Sequence, residues 1–227
     1  MPDLSFQITG AAALPHAAAP TLLFNLRIDN ASATEQIQSI LLQCQIRLET
    51  TRRRYTAAEQ HQLRDLFGPA DQWSRSLRSL LWTNTTLFVP AFTGGTAVDM
   101  PVACTFDFNV AATKYFAAQE QGEIPVLALF SGSVFYRDNG GFLQVAQISW
   151  EKEAGYGVPV KVWKEMMQLY YPDSAWLCLR RDTFDRLHRY KIDSGLPTWE
   201  AALESLLPGA AAAAGKNAIE GAAGDTR

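Results

Sequence analysis

The chain has 227 residues, 48% of them hydrophobic and 19% charged, so it is long and apolar enough to fold around a sizeable core without global disorder. Its formal net charge of −3 provides no basic field for holding a polyanion, which argues against nucleic acid as the main partner. The N-terminus lacks the pattern of a secretory signal, and no segment approaches the roughly 18 consecutive apolar residues of a membrane-spanning helix. We therefore expect a cytoplasmic protein without a membrane span.

Two segments near the N-terminus alternate apolar and polar residues with a period of two. The first is residues 22–28 and the second is residues 40–48, and turn-forming residues 30–34 lie between them. This period is typical of strands that bury one face and expose the other. We predict that the two strands pair antiparallel with each other.

A short helix is predicted to interrupt the strands at residues 57–67. Thr56 and Glu59 have the spacing of a capping box, in which each side chain satisfies a free backbone donor of the other residue. Gly68 and Pro69 are predicted to end the helix. The following segment, residues 73–82, fits a helix and a strand equally well.

Strand patterns return in the middle of the chain. A strand is predicted at residues 98–108, where Pro101 favours an edge position or a bulge. Residues 124–136 are apolar on both faces in their first half, which predicts a central strand. The turn residues 137–141 then predict a hairpin that extends to Trp150.

The last third of the chain changes character. Helical spacing follows Pro159 and is predicted to end at Tyr171-Pro172. A short strand is predicted at residues 175–179, followed by two helices capped by Asp182 and Thr198. Residues 208–227 are low in complexity and nearly free of large apolar residues, so we predict a disordered tail there.

These elements predict a mainly β fold, an antiparallel β-sandwich with an inserted helix and C-terminal helices (α+β). We expect a single globular domain over residues 1–207, with the sandwich at about 3–150 and the helical part at about 159–207. A doubly wound α/β sheet would need strands that alternate with helices, and the first 150 residues do not supply them.

The sequence shows no catalytic, metal-binding or cofactor-binding signature. No histidine, cysteine or carboxylate residues stand at the short spacing of a metal site, and no glycine-rich phosphate loop is present. The alternation directs Cys44 and Cys104 toward the core, as expected for small buried residues rather than nucleophiles. We therefore predict no cofactor.

Two features are candidate interaction surfaces. Arg52, Arg53 and Arg54 form a basic run that could bind a carboxylate, a phosphate or an acidic partner, although a solvated strand end explains it as well. The second candidate is an aromatic stretch, for which core packing is the competing interpretation. It contains Tyr156, Trp163, Tyr170, Tyr171 and Trp176.

Four phrases of the sequence occur in a fixed order: IQSILLQCQIRLETTRRRY, LFG followed by W, GEIPVLALFSGSVFY, and W followed by MMQLYYP. Together they resemble a family of uncharacterised bacterial proteins whose genes tend to lie near accessory genes of nickel-iron hydrogenases. The resemblance spans roughly residues 3–207. It implies an accessory or assembly role beside a large metalloenzyme and designates no functional residues, and the missing cysteine and histidine ligand sets count against direct nickel delivery.

Our favoured hypothesis is a non-catalytic protein that binds another protein, as in the assembly of a multi-subunit enzyme linked to nickel-iron hydrogenase. One alternative is an enzyme with an acid-base site drawn from Asp107, Glu151 and Glu153. The other is a small-molecule or lipid-surface binding module that uses the arginine run. Fold class alone does not choose among the three.

Overall fold

The computed structural model describes residues 2–104, 110–138, 140–175 and 177–207. The chain divides into two compact units, one within residues 1–173 and one that begins at Ser174. The single domain expected over residues 1–207 stays a prediction. Among the described residues, no helix combines the length and the apolar character needed to cross a membrane.

The strands of the first unit form two antiparallel sheets, which confirms the predicted β-rich sandwich with helical additions. One sheet has the order β1-β2-β6, and the other has the order β4-β3-β7-β8, with β5 paired to β3 and β9 paired to β7. The described strands are β1 (Leu4–Ala13), β2 (Thr21–Asn30), β3 (Gln36–Leu48), β4 (Leu80–Val89), β5 (Phe92–Thr93), β6 (Gly95–Ala103), β7 (Glu123–Arg137), β8 (Leu143–Gln147) and β9 (Glu153–Pro159).

The predicted pairing of the first two alternating segments is wrong. Strand β2 pairs with β1 and β6, whereas β3 pairs with β4, β5 and β7, so the two strands lie in opposite sheets. Alternation shows only that one face of each strand is buried. Two strands with this pattern can bury their apolar faces against each other from opposite sheets, and they can equally well lie side by side in one sheet.

The core lies between the two sheets. The apolar residues of the alternating segments, among them Phe24 on β2 and Leu42 on β3, are fully buried there. Aromatic rings meet across the gap: Phe6 stacks on Phe130 with ring centroids 4.4 Å apart, and Phe24 meets the edge of Trp82 at 6.0 Å. Burial of these large side chains supplies the main driving force for joining the sheets.

The helices lie between strands and after the last strand. They are α1 (Ala57–Gln62), α2 (Arg64–Phe67), α3 (Trp73–Ser76), α4 (Val110–Ala117), α5 (Val160–Tyr170) and, in the second unit, α6 (Arg181–Asp193) and α7 (199–207). Single turns of 3₁₀-helix occupy Thr50–Arg52 and Ala70–Gln72. The predicted helix at 57–67 is present as α1 and α2, which meet at Leu63, and both halves of its capping box are formed.

Strand β7 is the longest strand, and it is central in its sheet as predicted. Its hairpin with β8 is confirmed: Asp138 Oδ1 accepts hydrogen bonds from the N–H groups of Gly140 and Phe142, both at 2.9 Å. Pro101 lies on β6 at the edge of its sheet, as its missing N–H predicts. Four elements were not predicted from the sequence: β4, β5, β9 and α4.

Several C-terminal predictions have mixed outcomes. Helix α5 begins at Val160 and ends at Tyr170, as predicted. The predicted strand at 175–179 is wrong for its described residues, which form no strand. Asp182 lies in the first turn of α6 rather than at its N-cap, where its charge faces the positive end of the helix dipole. Thr198 does cap α7, accepting from Ala201 N–H at 3.1 Å.

Some predictions concern residues outside the described ranges. These are the second half of the strand predicted at 98–108, the side chains of Asp107 and Trp176, and the tail at 208–227.

Candidate functional site

The structure separates the three arginines of the predicted basic run. Arg52 and Arg54 are exposed, and Arg52 Nε lies 3.6 Å from the carboxylate of Glu49. Arg53 points inward, with only 10% of its side chain exposed. The run therefore does not present three guanidinium groups on one surface.

Arg53 forms an ion pair with Glu59, whose side chain is 2% exposed; Nη2 of the arginine lies 2.8 Å from Oε1 of the glutamate. The same guanidinium donates hydrogen bonds to the carbonyl oxygens of Gln121, at 2.6 Å, and Glu123. One side chain thus ties the segment before α1 to the start of β7. Such shared, charge-assisted hydrogen bonds offset the desolvation of the arginine.

The Glu59 carboxylate is also held by backbone donors. It accepts from the N–H of Thr56 at 2.9 Å and from the N–H of Glu120 at 3.0 Å. Burial acts to raise the pKa of Glu59, but these two hydrogen bonds and the Arg53 guanidinium outweigh it, and the pKa is lowered below its usual value. Glu59 is therefore a fixed anion that organises the local backbone rather than a general base.

A pair of tyrosines continues this buried polar network. The hydroxyl groups of Tyr55 and Tyr115 lie 2.7 Å apart, and Tyr55 donates to the carbonyl oxygen of Thr50 at 2.6 Å. Burial, and then the hydrogen bond between the two hydroxyls, raise the pKa of Tyr55; burial also raises that of Tyr115. Both phenols stay protonated, and the network is suited to holding the segment before α1 against α4.

The aromatic stretch points largely inward as well. Trp163 is 7% exposed and stacks on Phe116, with ring centroids 5.4 Å apart. Tyr156 is half-buried and meets the edge of Phe24 at 6.1 Å. For these residues the structure supports core packing, the competing interpretation of the stretch.

Tyr170 has a structural task at the end of α5. Its hydroxyl donates to the carbonyl oxygen of Leu14 at 2.6 Å and accepts from the N–H of Ala17 at 2.7 Å. These two hydrogen bonds fix the loop between β1 and β2 to the end of α5. Tyr171 is half-buried.

The described acid-base candidates, Glu151 and Glu153, do not form a catalytic arrangement. Glu151 is exposed and lines a small cavity of about 180 Å³ together with Asp3 and Lys152. Lys152 Nζ is engaged with Asp3 at 2.6 Å. Glu153 is exposed at the start of β9. The other polar side chains that line this cavity are those of Gln147 and Ser149, and no histidine is among its described lining residues.

Within the described ranges, no three histidine, cysteine or carboxylate residues cluster closely enough to hold a metal ion. Cys44 and Cys104 are buried in the core, and burial raises the pKa of each thiol to about 12. Both side chains are therefore neutral thiols and weak nucleophiles at neutral pH.

A surface that the sequence analysis did not single out is the outer side of the larger sheet. The strand register places residues from four strands on this side, which we call the open face. Its central residues carry no charge: Ser39, Leu41, Gln43, Gln45, Asn84, Thr86, Phe88, Ser131, Ser133, Phe135, Val145 and Gln147. Arg47 on β3 and Arg137 on β7 follow the same alternation and lie at its margins.

The open face has a polar half and an apolar half. In the polar half, Gln43 lies between Thr86 and Ser131, and Gln45 donates to Asn84 at 3.3 Å. In the apolar half, Leu41 pairs with Phe88, both exposed. Phe135 pairs with the exposed Val145 in the next row.

A signal for this surface was present in the sequence. The outward positions of β3 from residue 39 to residue 45 include Gln43 and Gln45 and no charge, and Arg47 is the first charged one; such a stretch is unusual for a solvated strand. The individual strands did not reveal the surface, because its apolar half combines residues from β3, β4, β7 and β8 that are brought together only by strand pairing.

Comparisons with solved structures return distant likenesses. They include the CARDB domain of the PF1109 protein from Pyrococcus furiosus in complex with di-metal ions, at 11% identity and a TM-score of 0.27, over 70% of this chain and 92% of that chain. The putative ApaA protein from Bordetella pertussis is similar at 9% identity and a TM-score of 0.24, over 69% and 93% of the two chains. Beta-glucosidase from Kluyveromyces marxianus in complex with glucose has the same identity and TM-score, over 69% of this chain and 15% of that chain.

At the level of sequence, no curated protein shows a significant match. The model of one protein family matches residues 1–215, and that family is described as "Family of unknown function (DUF6084)".

Proposed function

We propose that this chain, which belongs to the family of unknown function DUF6084, is a non-catalytic protein that binds another protein during the assembly of a multi-subunit enzyme. The open face is the binding surface in this proposal. The observation that carries it is the coincidence of exposed apolar side chains, such as Leu41 and Phe88, with an uncharged central area that spans four neighbouring strands.

The chemistry of the open face specifies the kind of partner. Burying a charged group without a counter-ion is costly, whereas amide and hydroxyl groups can exchange water for hydrogen bonds with a partner. The apolar half, which contains the exposed Phe88 and Leu41, offers the anchor that a protein interface needs. We therefore expect a protein surface that is itself uncharged and carries apolar side chains.

The size of the open face favours a transient complex. The central residues of the face span seven positions on β3, five on β4, five on β7 and three on β8. At about 3.3 Å per residue and about 4.8 Å between strands, they cover roughly 300 Å². Stable interfaces bury about 800 Å² on each partner, so this face lies toward the weaker class. An accessory protein that leaves after assembly needs such reversible binding.

The partner that we propose is a subunit or accessory protein of a nickel-iron hydrogenase. The support for this part is the resemblance of the ordered sequence phrases to bacterial proteins whose genes lie near such accessory genes. The role is that of an assembly factor without metal ligands of its own. Its partner would supply the metal chemistry.

The test compares two double variants in a native host. Leu41→Lys combined with Phe88→Lys places two charges in the apolar half, and Ser5→Lys combined with Ala97→Lys places two charges on the outer side of the smaller sheet. Cross-linked complexes of wild type and both variants are compared by quantitative mass spectrometry. We expect the amount of hydrogenase-linked partner recovered with the first variant to fall at least about tenfold, because each buried charge costs more than about 1.4 kcal/mol of binding free energy.

Near-ultraviolet circular dichroism and thermal melting establish that both variants are folded. Equal recovery of the partner with both variants would contradict the open face as the binding surface. Recovery of partners without any hydrogenase subunit or accessory protein would contradict the proposed assembly role.

A further inference from the structure

We infer that β8 is a dimerisation strand, which pairs antiparallel with β8 of a second copy of this chain and joins the two larger sheets into one. The inference is independent of the partner proposed for the open face. It follows from the free edge of β8, the direction of its backbone groups and the residues at its two ends.

Strand β8 is an edge without the usual protection. It pairs with β7 on one side, and no described strand pairs with its other side. Its sequence, LQVAQ, contains no charge and no proline. Proteins commonly protect exposed edges with charged residues, prolines or bulges, because a bare edge recruits another strand.

The edges of the smaller sheet have such protection. Strand β6 contains Asp99 and Pro101, and the register of β1 with β2 shifts between Ile8 and Gly10. Strand β4, the other edge of the larger sheet, also lacks charge and proline, but its register with β3 shifts between Ile46 and Arg47. Among the described outermost strands of the two sheets, β8 is therefore the one without charge, proline or register shift.

The hairpin hydrogen bonds show which backbone groups of β8 face outward. Asp138 N–H donates to Phe142 O at 3.0 Å, and Ile148 N–H donates to Gly132 O at 2.9 Å. In an antiparallel ladder the hydrogen-bonded pairs recur at every second residue, so residues 144 and 146 bond to β7. The N–H and C=O groups of residues 143, 145 and 147 therefore point to the free edge.

These outward groups match a second copy of the same strand. With Val145 opposite Val145 of the other copy, Leu143 faces Gln147 on each side of the two-fold axis. Each of the three facing pairs exchanges two hydrogen bonds, which gives about six in all. No outward donor or acceptor of β8 remains unpaired in this register. An isologous arrangement of this kind is the commonest form of protein dimer.

The side chains around β8 support the same register. Val145 is 57% exposed, and two large aromatic residues near the strand are more exposed still, Phe142 at 71% before it and Trp150 at 88% after it. The two-fold axis brings Phe142 of one copy and Trp150 of the other to the same end of the strand pair. Both ends of the interface thereby receive two exposed aromatic residues that can cover each other.

The geometry has a consequence for the open face. The two-fold axis of an antiparallel strand pair is perpendicular to the sheet, so the open faces of both copies lie on the same side. Val145 of each copy belongs to both surfaces. The dimer thus presents a doubled, continuous open face.

The test measures the mass of the full-length protein by light scattering and sedimentation over a range of concentrations. Wild type is expected to be a dimer. Val145→Lys and Val145→Glu each place two like charges about 5 Å apart across the axis, and each variant alone is expected to be a monomer. An equal mixture of the two is expected to form a heterodimer, because the facing charges are then opposite.

A further variant and a control separate strand pairing from misfolding. Val145→Pro removes an outward N–H that β7 does not use, so it should abolish the dimer while leaving the circular dichroism spectrum unchanged. Ala97→Lys, on the edge strand β6, should remain a dimer. A monomeric wild type, a dimeric Val145→Lys variant or a mixture that stays monomeric would each overturn the inference. None of these measurements depends on the binding partner of the open face.

Discussion

Arg53 illustrates how far the position of a side chain can depart from its sequence context. It stands between two exposed arginines, yet its guanidinium is buried against Glu59 and two carbonyl oxygens. The capping-box role of Glu59 was readable from its spacing to Thr56. Its pairing with Arg53 was not, because that depends on where the start of β7 lies in space.

The buried pair leads to a prediction about stability. Glu59→Gln keeps the shape of the side chain but removes the negative charge, which leaves Arg53 buried without a counter-ion. We expect the free energy of unfolding to fall by about 3–5 kcal/mol in urea denaturation. The control is Glu49→Gln, whose partner Arg52 is largely exposed, and there we expect a loss of at most about 1 kcal/mol.

The same variant also has a predicted pH dependence. Because the pKa of folded Glu59 lies below its unfolded value of about 4.3, the stabilisation is complete above that value and is lost as the pH falls through the folded pKa. The difference in unfolding free energy between wild type and Glu59→Gln should therefore be constant near neutral pH and shrink in acid. A difference that grows below pH 4 would contradict this assignment.

Strand β7 depends on a glycine at one position in its middle. Gly132 lies in the middle of the strand with φ of +134°, and a Cβ atom there would lie 2.1 Å from the carbonyl oxygen of Leu41 on β3. The close approach of β3, which makes glycine necessary, is a property of the sheet.

Replacing this glycine should damage the sheet on which the open face depends. We expect Gly132→Ala to lower the free energy of unfolding by more than about 3 kcal/mol, through backbone strain and the contact with β3. Gly155→Ala on β9 is the matched control, since its nearest neighbouring atom would be 4.0 Å away. We expect the free energy of unfolding of that control to lie within about 1 kcal/mol of the wild-type value. Equal losses of stability in both variants would refute the role of Gly132.

At the scale of the whole molecule, the hydrophobic core belongs to the first unit. All residues of the core cluster and those packed against it lie between Leu4 and Tyr170. Helix α5 contributes Trp163 and Met166 to that core. Helices α6 and α7 belong to the second unit.

This distribution predicts the effect of two truncations. A chain ending at Asp173 retains the whole core, so it should unfold cooperatively with a denaturant slope close to that of wild type. A chain ending at Pro159 lacks α5 and should lose more than about 4 kcal/mol, the combined cost of two large core side chains. Loss of cooperative unfolding in the first truncation would show that the two units fold together.

Much of the architecture depends on local pattern and was therefore predictable from the sequence. Alternation identified β2 and β3, a run that is apolar on both faces identified β7, and helical spacing identified α5. The capping residues Thr56 and Thr198 marked helix starts. Each of these signals depends on residues only a few positions apart. Strand β9 escaped detection because its glycines at 155 and 157 interrupt the apolar pattern.

The tertiary structure alone decided which strands are neighbours, and with that where the functional surfaces lie. An alternating strand buries its apolar side equally well in either sheet, so pattern could not place β2 and β3 apart. Among the predicted surface residues, Arg53 and Trp163 became interior because partners distant in sequence surround them. The open face and the bare edge of β8 exist only once the strands have paired, since pairing determines which side chains share a face and which backbone groups remain free.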